Sequence, residues 1–359
     1  MRTKQQNIEL IKKLSDANGI SGFEDEVVEI CKEEIKNSCD YKEDTLRNLH
    51  FSAKGNTGNK PKIWLDAHSD EIGFIVQHMK SNGTIHFIPI GSWANSNIPA
   101  SKVRVRNNRG EYIPGVVAAK PVHFQNSTEK AQAPTIDQMA IDVGACSLAE
   151  LKDKFGISVA APIVPDVTCS YDEQYDLFLG KAFDCRAGCA ALIETLEQCQ
   201  DKNLQIDVVG AFSAQEEVGL RGVTSVGQAL EADISIVFEG CPADDTFAGP
   251  EESQTALRKG PMLRHLDCLM ITNPRFMRFA LDIAKQFDIP VQEAVRGGGG
   301  TSGGAIHMGK NGIPTIVIGI PVRYAHSHHG FMAYEDYENA VKLAVKIIEN
   351  IDGDVIAGF

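Results

Sequence analysis

The chain has 359 residues, 43% of them apolar and 23% charged, and carries a net charge of −13. That balance fits one large globular domain or two ordinary ones, and excludes disordered, collagen-like and small disulfide-framed classes. The acidic excess, with no Lys/Arg-rich run, argues against nucleic acid as a partner. The longest apolar run, 315–322, is far too short to span a bilayer. Met1-Arg2-Thr3-Lys4-Gln5-Gln6 lacks the apolar core of a signal peptide, so a cytoplasmic location with no membrane partner is expected. The nine cysteines are scattered, odd in number and without a C-x-x-C. They read as reduced thiols and not as a thiolate zinc site.

Taken in order, residues 8–14 and 27–35 show apolar positions at helical spacing. Asn18-Gly19-Ile20-Ser21-Gly22 is a turn between them, and Ser21 with Glu24 has the spacing of a capping box. Residues 61–67 predict a buried strand that ends at His68-Ser69-Asp70. From 71 to 165 short β-like runs dominate, at 72–77, 84–90, 102–106 and 113–118, with Asn82-Gly83 as a hairpin turn. Ser147 and Glu150 predict a short capped helix within this stretch. Beyond 180 the pattern alternates. Helices are expected at 185–199 with Asp184 as N-cap, at 275–287 behind Asn273-Pro274, and at 334–351. Strands are expected at 206–212, 234–238 and 313–318. The expected fold is therefore α/β: a mixed sheet covered by helices, built from 1–70 and 166–359, with an all-β, barrel-like insertion at 71–165.

In open α/β sheets, sites gather beyond the carboxyl ends of the strands. His68 and Asp70 follow the first strand, and Glu216 and Glu217 the second. Glu239 follows the third, Tyr324 and His326 follow the last, and Asp184 opens a helix. Each has an ordinary reading alone: a hydrogen-bonded histidine, a solvated Glu-Glu pair, a helix cap. Together they offer two histidines and three carboxylates, which suits zinc, cobalt or manganese. Such a set can hold two divalent ions with one carboxylate shared, lowering the pKa of a water between them toward ~7. Of Glu216 and Glu217, one can bind metal while its neighbour takes the water's proton. Asp70, two residues from His68, is placed to orient an imidazole.

The run Arg296-Gly297-Gly298-Gly299-Gly300-Thr301-Ser302-Gly303-Gly304 lacks a P-loop ending and precedes a short helix expected at 305–308. It reads either as close backbone approach to a substrate or as a tight structural turn. His328 and His329 read as surface residues or as part of a pocket.

These segments resemble one family in order along nearly the whole chain. They are Asp66-Ala67-His68-Ser69-Asp70-Glu71-Ile72-Gly73-Phe74, Ile113-Pro114-Gly115-Val116, Ile141-Asp142-Val143-Gly144-Ala145, Ala182-Phe183-Asp184-Cys185-Arg186-Ala187-Gly188-Cys189, Gln215-Glu216-Glu217-Val218-Gly219-Leu220-Arg221-Gly222 and Arg323-Tyr324-Ala325-His326-Ser327. The family is that of the dinuclear-metal aminopeptidases that assemble as tetrahedral (TET) particles, which includes glutamyl aminopeptidases and so-called endoglucanase M proteins. The resemblance implies that Asp184 bridges two metal ions, zinc first with cobalt or manganese as alternatives. It implies that His68 and Glu239 complete one site and Glu217 and His326 the other. Glu216 would be the general base, Asp70 would assist catalysis, and Gly300, Thr301 and Ser302 would meet the peptide substrate. The insertion would be a dimerisation domain, and twelve subunits would form a hollow particle. Two departures stand out: the family commonly has Asp where Glu239 stands, and its glycine loop usually reads Gly-Thr-Asp where this chain has Gly300-Thr301-Ser302.

The expected function is a metal-dependent aminopeptidase acting on free peptide N-termini. Ser302 motivates a rival, a deacylase or amidase on blocked or non-peptide substrates. A weakly active assembly protein is a third reading. Glycoside hydrolysis ranks lower, because the carboxylates are better explained as metal partners.

Overall fold

Ile63, Trp64, Leu65, Asp66, Ala67 and His68 are all buried in the computed structural model, which describes residues 2–359. A strand covered on both faces needs helices above and below it and parallel neighbours. Alternation along the strand supplies both layers. Ile63, Leu65 and Ala67 pack with the helices Lys4–Asp16, Asp25–Ile35, Phe183–Cys199 and Tyr334–Asn350. Trp64 packs on the other face with Val223 and Val226 of the helix Arg221–Ala229 and with Ile306.

Three strands come first: β1 (Cys39–Glu43), β2 (Leu49–Ala53) and β3 (Lys62–His68). The next six are β4 (Gly73–Met79), β5 (Ile85–Ile90), β6 (Lys102–Arg106), β7 (Tyr112–Ala119), β8 (Met139–Asp142) and β9 (Pro162–Pro165). They close into an antiparallel barrel in the order β4-β5-β8-β7-β6-β9 around Phe74, Phe87, Val103, Val117, Ile141 and Ile163. The chain then continues through β10 (Ser170–Asp172), β11 (Leu177–Gly180), β12 (Asp207–Ser213), β13 (Ile234–Pro242), β14 (Met262–Leu266), β15 (Gln292–Val295), β16 (Thr315–Val322) and β17 (Gly330–Ala333). The large sheet runs β1-β2-β12-β3-β13-β16-β14-β15. Its four central strands, β12, β3, β13 and β16, are parallel, and β2 and β14 flank them antiparallel. The fold is thus a mixed α/β sheet under helices with a closed β-barrel inserted between β3 and β10.

Two expected caps are absent. The helix Asp25–Ile35 has Glu24 at its N-cap with no side-chain cap bond, because Ser21 and Glu24 both turn elsewhere. Asp184 does not cap its helix: Ala182 takes that position in a left-handed conformation, and Asp184 sits in a non-helical first turn. Asn273 caps as expected, accepting from the Arg275 and Phe276 amides. Ser147 accepts from the Glu150 amide, while the Glu150 carboxylate reaches the Cys146 amide and not that of Ser147.

Candidate metal centre

The parallel register puts Ser213 beside His68 and Glu239 beside Gly319, so the loops leaving β3, β12 and β16 emerge at one edge. Strain accumulates in them. Gln215, Leu220, Tyr324 and His326 all have left-handed backbones, as does Ala182 just before Asp184. Residues other than glycine adopt that region only where the surroundings enforce it, commonly at functional sites. Tyr324 is 51% exposed and carries no ligand role in the geometry.

Asp184 is the hub. Its Oδ1 lies 3.1 Å from His68 Nε2, and its Oδ2 lies 3.2 Å from His326 Nε2. His68 Nε2 is also 3.3 Å from Glu239 Oε1, and His326 Nε2 is 3.4 Å from Glu217 Oε1. Two donor groups result, one from His68, Asp184 and Glu239 and one from Asp184, Glu217 and His326. Within each, the donor atoms lie within 4.8 Å of one another. Ligands about 2.0–2.2 Å from a tetrahedral zinc stand roughly 3.3–3.6 Å apart, so these donor sets fit divalent ions. The Cys185 thiol also belongs to the first group, but it donates to the Phe238 carbonyl at 3.1 Å, and burial holds its pKa well above the ordinary value.

The surrounding bonds fix these groups. Asp70 is fully buried and accepts the amides of Glu216 at Oδ1 and Glu217 at Oδ2. Its Oδ1 stands 3.3 Å from His68 Nδ1, at ion-pair distance though poorly aligned for a hydrogen bond. His326 is oriented from the barrel side, where its Nδ1 meets the Ser92 carbonyl at 3.0 Å. Nothing in the residue pattern around Ser92 announces that contact, since a carbonyl acceptor needs no particular side chain.

Charge follows from this crowding. Burial raises the Glu216 carboxyl well above its usual range, and Glu239, Glu217 and Asp70 add to the effect. Burial likewise pushes Glu217 up to about 8. For His326 burial acts downward, but the hydrogen bond to Asp184 and the nearby carboxylates prevail and raise it to about 10. The carboxylates thus favour positive charge on both imidazoles, at the places where cations fit.

A cavity of about 480 Å³ opens over the centre. Glu216, Glu217, Glu239, His68, His326 and Asp184 form one wall, and Leu220, Arg264, Leu269, Arg296, Gly298, Gly299, Gly300 and Thr301 belong to the rest. Gly300 packs closely on Leu269, whose side chain would have to swing aside for a Cβ there. Ser302 is not in the lining. It is 1% exposed, and its buried Oγ has no hydrogen-bond partner. His328 is also outside the cavity: its Nε2 donates to the Lys102 carbonyl at 2.8 Å and its ring packs on Trp93. His329 does not line the cavity either.

A profile of the M42 glutamyl aminopeptidase family matches residues 48–343. This chain belongs to the M42 glutamyl aminopeptidase family. The M42 chain is 32% identical to the lysyl aminopeptidase of Pyrococcus furiosus, covering 96% of this chain and 97% of that one. Its fold matches a TET aminopeptidase from the marine sediment archaeon Thaumarchaeota archaeon SCGC AB-539-E09, with TM-score 0.94 and 36% identity over 99% of both chains. It also matches the Pyrococcus horikoshii TET1 peptidase, described as assembling into a tetrahedron or a large octahedral shell, with TM-score 0.85 and 27% identity. That match covers 96% of this chain and 100% of the other. This M42 protein is a metal-dependent aminopeptidase, a peptide hydrolase. Among the described residues, no helix is long and apolar enough to cross a membrane.

Proposed function

We propose that this aminopeptidase removes N-terminal residues from peptides using two divalent ions, zinc by preference with cobalt or manganese as alternatives, held on Asp184. The observation that carries the reading is the Asp184 carboxylate, with one oxygen on each histidine. His68 and Glu239 complete one donor set, and Glu217 and His326 the other. When bound, the ions supply Lewis acidity to the scissile carbonyl and lower the pKa of water. Glu216 lines the cavity and is not part of either donor set. Its raised pKa suits a group that takes a proton from the attacking water and returns it to the leaving amine nitrogen. Asp70 keeps His68 and the two glutamate amides in place. The Gly298–Gly300 backbone and Thr301 border the space for the peptide. Glu239, one methylene longer than aspartate, still places Oε1 at ligand distance from His68 Nε2.

The deacylase reading rested on Ser302, which is buried away from the cavity, so a free N-terminus remains the better substrate. We assign residues 1–70 and 166–359 to the catalytic part and 71–165 to a dimerisation unit. Self-association into a TET-like particle is supported by the relatives' assemblies and by the exposed Val122 and Phe124 on the barrel flank. Cytoplasmic action on peptides is consistent with the reduced, mostly buried thiols.

The test is Glu216→Gln, assayed on free and N-acylated peptides with and without chelator. Expected are full metal content and a kcat lower by about 10²–10⁴-fold on free N-termini. Turnover near that of the parent enzyme would sink the assignment.

A further inference from the structure

Residues 17–24, between the first two helices, precede the span matched to the family and make no contact with the cavity. Ser21 and Glu24 have the spacing of a capping box but do not cap. Glu24 reaches instead to the turn that carries Glu216 and Glu217, and Ser21 to Asp70, which holds that turn. Ser21 Oγ donates to Asp70 Oδ2 at 2.6 Å. Glu24 Oε1 accepts the Gln215 amide at 3.1 Å and the Gly22 amide at 2.8 Å. Three consecutive amides are therefore gripped by two buried carboxylates: Gln215 by Glu24, then Glu216 and Glu217 by Asp70. Gln215 is also the left-handed residue that turns the chain out of β12. Glu24 and Asp70 are both fully buried, and Glu24 Oε2 has no partner. Burying a carboxyl group half-satisfied is unfavourable, and the bonds that offset this cost are those Glu24 accepts from the Gly22 and Gln215 amides.

The segment that presents Glu24 is itself clamped. Arg186 donates to the Leu14, Ala17 and Gly19 carbonyls, and Lys181 donates to the Ala17 carbonyl. The Lys181 ammonium is also held by the Glu71 carboxylate at 2.6 and 2.7 Å. Glu71 closes the loop through its amide, which donates to the Gly19 carbonyl. A displacement of residues 17–24 would thus be passed on to Gln215.

We infer that Glu24, seconded by Ser21, is a positioning residue for the Glu216 carboxylate, acting through the Gln215 amide and never touching substrate. The inference rests on Glu216 being the general base. Misplacing such a group by about 1 Å costs roughly 10²-fold in rate.

The experiment compares Glu24→Ala, Glu24→Gln and Glu216→Gln in the full-length protein, reading kcat, KM and bound metal. Glu24→Ala is expected to lower kcat by about 10–10²-fold with KM within about twofold of the parent value and metal content unchanged. Glu24→Gln keeps an acceptor for the Gln215 amide and should restore most of the loss. Parent-like kcat in Glu24→Ala overturns the inference, and so does equal damage in both variants with metal lost from both. Should Glu24→Ala fail to fold, Ser21→Ala replaces it, with a lower kcat at unchanged KM expected and parent-like kcat overturning the inference. Parent-like turnover in Glu216→Gln would instead overturn the base assignment, whatever the position-24 variants do.

Discussion

Gly240 follows Glu239 on β13 and has no side chain for a steric reason. A Cβ there would stand 2.6 Å from Asp184 Cα, 2.6 Å from the Phe183 carbonyl oxygen and 2.7 Å from the Asp184 nitrogen. All three are backbone atoms, so no rotamer change relieves the clash. In Gly240→Ala the Asp184 backbone must retreat by roughly 0.8 Å to reach ordinary van der Waals contact. Metal ligands tolerate only about 0.2 Å, and Asp184 is shared by both donor sets. The expected result is loss of metal from both sites together, with kcat down by about 10²-fold or more. Overpacking should cost about 1–3 kcal/mol of stability. Gly227→Ala is the control, because its Cβ would meet only Trp64, at 3.7 and 3.9 Å, inside the helix Arg221–Ala229. That change should be neutral or stabilising by up to about 1 kcal/mol. Metal per subunit would be measured by atomic emission after dialysis, beside kcat and urea unfolding. A Gly240→Ala enzyme with full metal content and parental kcat would refute the reasoning.

Three further outcomes are expected. Because the ion-free centre holds His326 at about 10 and Glu217 at about 8, metal uptake near neutral pH must displace protons. Apparent zinc affinity should then rise by about tenfold per pH unit for each proton released, and a flat affinity between pH 6 and 9 would count against this. Burial pushes His328 down to about 4 from its usual 6.5, so the unfolded chain takes up a proton before the native one does. Stability fully present above pH 6.5 should be lost toward pH 4, by up to about 3 kcal/mol, and His328→Gln should remove that share of the slope in urea unfolding. Finally, Phe124, 73% exposed on the barrel flank, should matter only to assembly. Phe124→Asp is expected to lower the sedimentation mass, and an unchanged mass would exclude that face from the contact.

The strand-end reading was possible because period and apolarity mark β3, β12, β13 and β16, and sites in such sheets lie beyond the strand tips. His68, Asp184 and Glu239 come together at that edge, as do Asp184, Glu217 and His326, although Glu239 lies inside β13 and not beyond its tip. The local readings were weaker. Ser21 and Glu24 obey capping spacing, yet Asp70 and Gln215 outbid the helix for their side chains. Asp184 likewise has the chemistry of a cap but faces the two imidazoles. Ser302 follows two residues that line the cavity, while its own side chain is buried away from it. β1 leaves little trace in the sequence because only Cys39 of its five residues is buried, and β14 because Met262, Leu263 and Arg264 are all buried in a row. The Ser92 carbonyl could not be foreseen, since backbone acceptors leave no trace in residue identity.

That carbonyl also limits how separable the two parts of the chain are. Ser92 belongs to the connection between β5 and β6, yet it fixes the imidazole of His326 beside β16. Gly91 lies equally close, since a Cβ there would sit 3.2 Å from Glu217 Oε2. A minimal enzyme made by excising the barrel and bridging β3 to β10 would keep every residue proposed to hold metal and lose the orientation of His326. Barrels exchanged between homologues would have to carry this short segment with them. The root of the insertion, Gly91 and Ser92, is thus tied to the two residues proposed for one metal site, Glu217 and His326.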